Sequence, residues 1–287
     1  MKKFFAIMLS AAMLLTMLVG CGSAKTSQTS KSSDNSETTN STKTTSSAKI
    51  DKIKAAGKLV MYTNAEFPPY EFMKGSDYAG VDVEIGKKIA DKLGVKLEIN
   101  NTNFDGIVAS IGSGKGDIGL SGITITDERK EQVDFSHPYV DSVQYLIVAN
   151  DSPLQYVEDF AGKNVGGQTG TTGALLMQDE IDKGVLKGSN AKVTTYDSAP
   201  TAMLDLKSKR IDAVVIDKET AINLAKENTG YKSIPLKYKN GNPMTEQYGI
   251  AVAKGSDDLL KVINEVVDDM VSKGEVTNLV NQYTEQK

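Results

Sequence analysis

An α/β fold made of two similar lobes is what the sequence predicts, and three observations predict it. Strand-like and helix-like stretches alternate from residue 50 to the end of the chain. Such alternation means a largely parallel sheet with helices on its faces. Residues 107–121 (IVASIGSGKGDIGLS) and 203–217 (MLDLKSKRIDAVVID) share one plan: a helix, a basic or small turn, an aspartate, then a buried strand. The 238 residues from Ile50 to Lys287 are enough for one large domain or two lobes.

The elements follow in order. Residues 58–63 read as a short strand. A helix spans 81–93, because Val81, Ile85, Ile89 and Leu93 fall on one face and Gly94 ends it. Residues 95–99 alternate as a strand, 104–111 suit a helix and 117–121 a strand. Thr126 is a candidate N-cap, with Asp127 and Glu128 in the turn that follows. Residues 143–149 are strongly β. A second series comes next: a strand near Val165, a helix from Thr171, a strand at 193–196, a helix at 199–207, a strand at 211–216 and a helix from Lys218. The last long helix starts at Ser256, read as its N-cap, and lines Leu259, Ile263, Val266 and Met270 on one face.

The N-terminal end is set aside from the fold. Lys2 and Lys3 precede an apolar run from Phe4 to Val19, the pattern of an export signal over residues 1–20. The run ends in Leu18-Val19-Gly20-Cys21, which resembles a bacterial lipobox, so Cys21 is the expected lipid anchor, bearing palmitate-type acyl chains. Cys21 is also the only cysteine, which excludes a disulfide framework and a cysteine metal site. Residues 22–49 hold 16 serines and threonines in 28 positions. Such a segment cannot bury enough apolar surface to offset the entropy of ordering, so 21–49 reads as anchor and tether. As a flexible coil it spans roughly 30 Å.

Charge narrows the partners. Residues 50–287 carry 27 basic and 35 acidic side chains, a net charge of −8. A nucleic-acid partner needs a basic face, so this charge argues against that class. Catalysis has little support. The one histidine, His137, stands beside Pro138, and no nucleophile–base constellation or EF-hand spacing accompanies it. No cofactor and no metal are expected.

In open α/β sheets, ligands bind beyond the carboxyl ends of the strands. Here those ends are 64–67, 121–124, 167–172 and Asp217, and they are expected to face one cleft. Arg129 follows the second end by a few residues. It is either one more solvated charge or a guanidinium fork aimed at a carboxylate. Asp217 closes the apolar strand Ala213-Val214-Val215-Ile216, and is either an ammonium acceptor or the N-cap of the next helix. The turn at 166–173 (GGQTGTTG) opens a helix and offers backbone N–H groups to an anion. It is neither a Walker loop nor GxGxxG. Phe67 and Phe104 sit at strand-end turns, as core rings or as walls for an apolar stem. Together the inventory fits an amino-acid zwitterion.

The chain also resembles a known family. TNAEFPPYEF (63–72), GVDVEIGKKIA (80–90), FDGIVASI (104–111), SGITITDERKEQVDFS (121–136), RIDAVVID (210–217) and QYGIAVAKGSD (247–257) are similar to the extracellular solute-binding proteins of ABC importers. The group is that of polar amino-acid binders, such as the glutamine-binding and lysine/arginine/ornithine-binding proteins. The likeness runs over essentially all of 50–287. It implies a two-lobed periplasmic-binding-protein-like fold with two crossover hinge strands and a ligand cleft. Lobe one would be 50–142 plus 248–287, and lobe two 143–247. It implies that Arg129 grips the ligand carboxylate, with a backbone donor from Thr172. Gly122 (carbonyl) and Thr124 would hold the ammonium and carboxylate, and Asp217 the ammonium. Phe67 and Phe104 would flank the side chain; Ser121 and Thr171 complete the set.

One departure bears on selectivity. Relatives often carry an acid where this chain has Asn64. Glu66 stands nearby as its candidate replacement, and Gln168 occupies another specificity position. A cationic or neutral polar ligand is expected over an acidic one. The function implied is delivery of a polar amino acid to a membrane permease and its ATPase, by a monomer anchored to the outer face of the cytoplasmic membrane. The alternatives are a cyclohexadienyl-dehydratase-like enzyme, with Glu66 as its acid, and a sensor that binds without transport.

Overall fold

A computed structural model describes residues 48–241 and 244–285. The expected signal segment, Cys21 and the tether up to residue 47 lie outside the described residues. Among the described residues, no helix is long and apolar enough to cross a membrane.

In chain order the strands are β1 (Lys58–Thr63), β2 (Glu66–Phe67), β3 (Glu71–Lys74), β4 (Asp77–Ala79), β5 (Lys96–Asn101), β6 (Ile118–Gly119), β7 (Val133–Phe135) and β8 (Val140–Ala149). They continue with β9 (Asn164–Gln168), β10 (Lys192–Tyr196), β11 (Ala213–Asp217), β12 (Tyr231–Pro235), β13 (Thr245–Tyr248) and β14 (Ala251–Ala253). The helices are α1 (Ala48–Ala56), α2 (Val81–Leu93), α3 (Ile107–Gly112), α4 (Asp127–Gln132), α5 (Thr172–Asp182), α6 (Ala199–Lys207), α7 (Lys218–Glu227), α8 (Asp257–Ser272) and α9 (Glu275–Glu285).

Two sheets carry the two lobes. The first runs β5-β1-β6-β14-β7, and the second β10-β9-β11-β8-β12. The chain passes between them along β8 and returns along β13, and the two strands pair antiparallel from Val140↔Tyr248 to Val143↔Thr245. A small hairpin sheet, β2-β3-β4, hangs on the first lobe. That hairpin was not expected, because its strands are too short for any periodicity to show.

The apolar periodicity of α2 and α8 is realised. Val81, Ile85, Ile89 and Leu93 are buried in the first lobe, as are Leu259, Ile263, Val266 and Met270. Gly94 ends α2 with φ 74°. Ser256 differs from expectation: its side chain makes no cap bond. Nearby, the Asp258 carboxylate accepts from the N–H groups of Lys49 and Ile50, 3.0 and 2.9 Å away. That contact ties α1 to α8, so Lys49, inside the segment expected to be tether, belongs to the fold.

The internal echo has a structural meaning. Asp117 Oδ2 accepts from Val60 N–H at 2.8 Å, and Asp212 Oδ2 accepts from Asn164 N–H at 2.8 Å. In each lobe, therefore, the aspartate before a strand ties itself to the start of the neighbouring parallel strand. The matched aspartates set the same register twice. As a result β6 and β11 end level with β1 and β9, and the loops that follow converge on one place.

Candidate functional site

The loops converge on a small, nearly filled cavity between the lobes. Its wall includes Asn64, Phe67, Phe104, Gly122, Thr124 and Arg129 from the first lobe. Gln168, Thr171, Thr172 and Asp217 face them from the second.

Arg129 is buried, with 9% of its surface exposed, so it is not a solvated charge. Thr126 caps α4, its hydroxyl accepting from Arg129 N–H at 3.2 Å. The cap starts the helix so that the Arg129 side chain turns back toward the strand end. Its Nη1 donates to Thr124 O at 2.7 Å and its Nη2 donates to Gly170 O at 2.9 Å, in the other lobe. The guanidinium lies 5.4 Å from the Phe104 ring centroid. A guanidinium has about five N–H donors, so roughly three remain for an anion. Burial pulls its pKa down from the ordinary value, and Glu246, Asp217 and Glu128 oppose that pull.

Asp217 is 5% exposed and ends β11. It occupies the N-cap position of α7, yet its side chain makes no cap bond. Tyr248 O–H donates to its Oδ2 at 2.5 Å, and the Gln144 side-chain amide donates to its Oδ1. Both donors are neutral. Burial, reinforced by Glu246, pushes the Asp217 carboxyl up to about 7. An ammonium placed there would favour the ionised form.

Between the two charges the wall is tightly built. Gly122 has φ 52°, and a Cβ at that position would meet the Phe67 ring at 3.0 Å. Gly170 has φ 79°, and its Cβ would meet the Asp105 backbone and Cβ of the facing lobe at 3.0–3.1 Å. Only glycine suits both needs, an unusual backbone and a close approach. Thr124 O–H donates to Glu246 at 2.9 Å. The Thr171 hydroxyl donates to Gln168 O at 2.8 Å, and Thr172 opens α5 with its backbone N–H directed outward from the helix start. At the far end, Gln168 Nε2 donates to Asn64 Oδ1 at 2.8 Å, across the lobes.

Two of the twelve expected residues stand elsewhere. Ser121 is buried behind the wall, accepting from Asn64 N–H and donating to Glu71. Glu66 is exposed on β2 and borders an outer hollow with Pro68, Met73 and Pro200. The reason is the alternation of β2: Phe67 turns inward, so Glu66 turns out. It therefore cannot replace the acid missing at Asn64. It also cannot serve as the proton-transfer acid of a dehydratase.

Four residues at the site escaped sequence reasoning. Glu71 lines the cavity, Glu246 borders it through Thr124, and Gln144 and Tyr248 hold Asp217. Tyr248 lies in the QYGIAV stretch, which was available as a signal. Glu71 lies in TNAEFPPYEF, equally available, while Glu246 and Gln144 lie in stretches with no pattern of their own.

Comparison with known proteins identifies the fold and the family. The L-cystine-binding protein TcyJ of Escherichia coli (strain K12) is 32% identical over 239 residues, covering 82% of this chain and 85% of that protein. The arginine-binding extracellular protein ArtP of Bacillus subtilis (strain 168) is 30% identical, covering 79% and 86%. Among solved structures, holo ArgBP from T. maritima is 38% identical over 78% of this chain and 97% of that one, with a TM-score of 0.70. The substrate-binding protein AbpA from Streptococcus pneumoniae, bound to L-arginine, is 31% identical over 82% and 98%, with a TM-score of 0.75. The two-lobed architecture is thus that of the amino-acid-binding proteins of this fold. The model of one family matches residues 59–286, most of the chain. The chain belongs to the bacterial extracellular solute-binding proteins, family 3, and is a binding protein rather than an enzyme.

Proposed function

We propose that the chain captures a polar amino acid outside the cell and delivers it to the permease of an ABC importer. The observation that carries this is the placement of buried Arg129 and buried Asp217 on one small cavity, from opposite lobes. The free N–H groups of Arg129 and the Thr172 N–H take the carboxylate. Asp217 takes the ammonium, helped by the Gly122 carbonyl and Thr124. Phe67 and Phe104 flank the side chain, and Asn64 and Gln168 meet its end. Both amides can donate and accept, which suits a neutral or cationic polar group. An acidic side chain would meet Asp217 and nearby Glu246 with no cation in the cavity wall beyond Arg129, which the ligand carboxylate already engages. L-Arginine is the first candidate, since several relatives are named for it; L-cystine and L-glutamine follow.

The strands β8 and β13 act as the hinge, within a monomer divided as 50–142 plus 248–287 and 143–247. Closure brings Arg129 to Gly170 and Gln168 to Asn64, and the permease reads the closed form. Cys21 anchors the chain by lipid to the outer face of the cytoplasmic membrane, with 22–49 as the tether. Titration calorimetry with L-arginine, L-cystine, L-glutamine and L-glutamate tests the reading. Tight binding of one of the first three, with glutamate weak or silent, is expected. No binding by any of them, or tight binding of glutamate, would overturn it.

A further inference from the structure

Glu71 in the cavity wall and Asp82 behind it form an acidic pair with no cation beside it among the described residues. Glu71 and Asp82 are both fully buried, at 0% exposure, on β3 and in the first turn of α2. Their side chains lie close enough to act on each other. Two carboxylates cannot bond unless one carries a proton. The remaining contacts say which one carries it. Asp82 Oδ2 accepts twice, from Gly122 N–H at 2.8 Å and from Tyr139 O–H at 2.9 Å. Glu71 accepts once, from Ser121 O–H at 2.8 Å. The better-solvated carboxyl holds the charge, so the proton belongs to Glu71. Glu71 Oε2 and Asp82 Oδ1 are buried and meet no other donor among the described residues. A proton between the two carboxyls satisfies both.

We propose that Glu71 is a positioning residue for amino-acid binding and works as a neutral acid, donating its carboxyl O–H to an ionised Asp82 that holds the Gly122 N–H. Gly122 is the residue whose carbonyl faces the ligand ammonium in the reading above, so this proposal rests on that reading. The chain of contacts runs Glu71, Asp82, Gly122, and a second branch runs Glu71, Ser121, Asn64 N–H at 3.0 Å. One protonated carboxyl thus fixes both strand-end loops of the first lobe. The groups facing the pair agree with a single negative charge. Tyr70 from the turn before β3, Tyr139 from the segment before β8 and Asp217 from β11 surround it, all neutral or acidic. A second charge at Glu71 would face them without a counter-ion. Burial and the nearby Asp82 hold the Glu71 carboxyl well above the ordinary range, and burial pushes Asp82 up to about 6.

The test combines calorimetry with infrared spectroscopy on the folded, untagged protein. Glu71→Gln keeps a donor for Asp82 and an acceptor for Ser121. It should restore most of the affinity for L-arginine, L-cystine or L-glutamine that Glu71→Ala loses, the loss being tenfold or more. Wild-type affinity should fall at alkaline pH more steeply than that of Glu71→Gln, because both share titration of the amino acid itself and only wild type ionises residue 71. The infrared difference between wild type and Glu71→Gln at neutral pH should show the carbonyl stretch of a protonated carboxyl. That readout needs no ligand. An absent band, or Glu71→Gln as weak as Glu71→Ala, overturns the proposal. If wild type binds none of the three amino acids but the band is present, the transport reading fails while the shared proton stands.

Discussion

Tyr248→Phe is the most informative single change, because it removes one oxygen and leaves the ring. The ring packs edge-on against Tyr70, 5.2 Å between centroids, and phenylalanine keeps that contact. What is lost is the O–H that donates to Asp217 Oδ2 at 2.5 Å. A hydrogen bond to a charged group contributes about 1.5–3 kcal/mol. At ~1.4 kcal/mol per decade, L-arginine should bind roughly 10- to 150-fold more weakly near pH 7. The pH profile should move as well. Asp217 accepts an ammonium only when ionised, and its carboxyl is pushed up to about 7. Wild-type affinity should therefore weaken as pH falls through 7. Without the Tyr248 donor the neutral form gains, and the midpoint should rise by about one to two units, at ~1.36 kcal/mol per unit. Calorimetry from pH 5 to pH 9 on both proteins reads these effects. Equal affinities with superimposable profiles would refute the role given to Asp217.

Four further outcomes are expected. Arg129→Ala should weaken amino-acid binding by roughly 30- to several-thousand-fold, from the 2–5 kcal/mol typical of a broken buried charge pair, with the circular dichroism spectrum unchanged. Glu66→Gln should leave arginine affinity within about twofold by calorimetry, since the side chain faces solvent. Cys21→Ala should release the protein from the membrane fraction or leave it unprocessed; membrane fractionation at the normal processed size would count against the anchor. Asp82 and Asp217 sit above their ordinary 3.8, at about 6 and about 7, so the fold favours their neutral forms. That stabilisation is fully present below about pH 4 and is lost as pH rises through 6 and 7, so the melting temperature without added amino acid should be lower at pH 8 than at pH 5.

The parts of this molecule that were legible in its sequence are those set by local pattern. Helices α2 and α8 announce themselves through a four-residue apolar spacing, and α4 through Thr126 and the acids after it. The strand ends followed from the α/β rule, so Asn64, Gly122, Arg129, Gln168 and Asp217 could be gathered before any coordinates. Roles fixed by distant partners were not legible. Glu71 looks like a surface acid in an aromatic run until Asp82 and Ser121 arrive from 11 and 50 residues further along the chain. Glu66 was misjudged because its direction depends on a two-residue strand. Glu246 and Gln144 lie on the crossover strands, where alternation serves two lobes at once and no single face reads as buried.

The place of β14 in the first sheet has a consequence for the order of synthesis. Ala251–Ala253 is not an edge; it stands between β6 and β7. Every strand of the second sheet except its neighbour β13 has been made before residue 236. The second lobe can thus assemble while the chain is still growing, but the first cannot. Until its last forty or so residues emerge, β6 and β7 each keep an open edge, and α2 lacks the face that α8 covers. An exported chain of this design spends its final stretch of translation and passage with one lobe compact and the other unfinished. A truncation just before residue 248 should therefore aggregate through the first sheet alone.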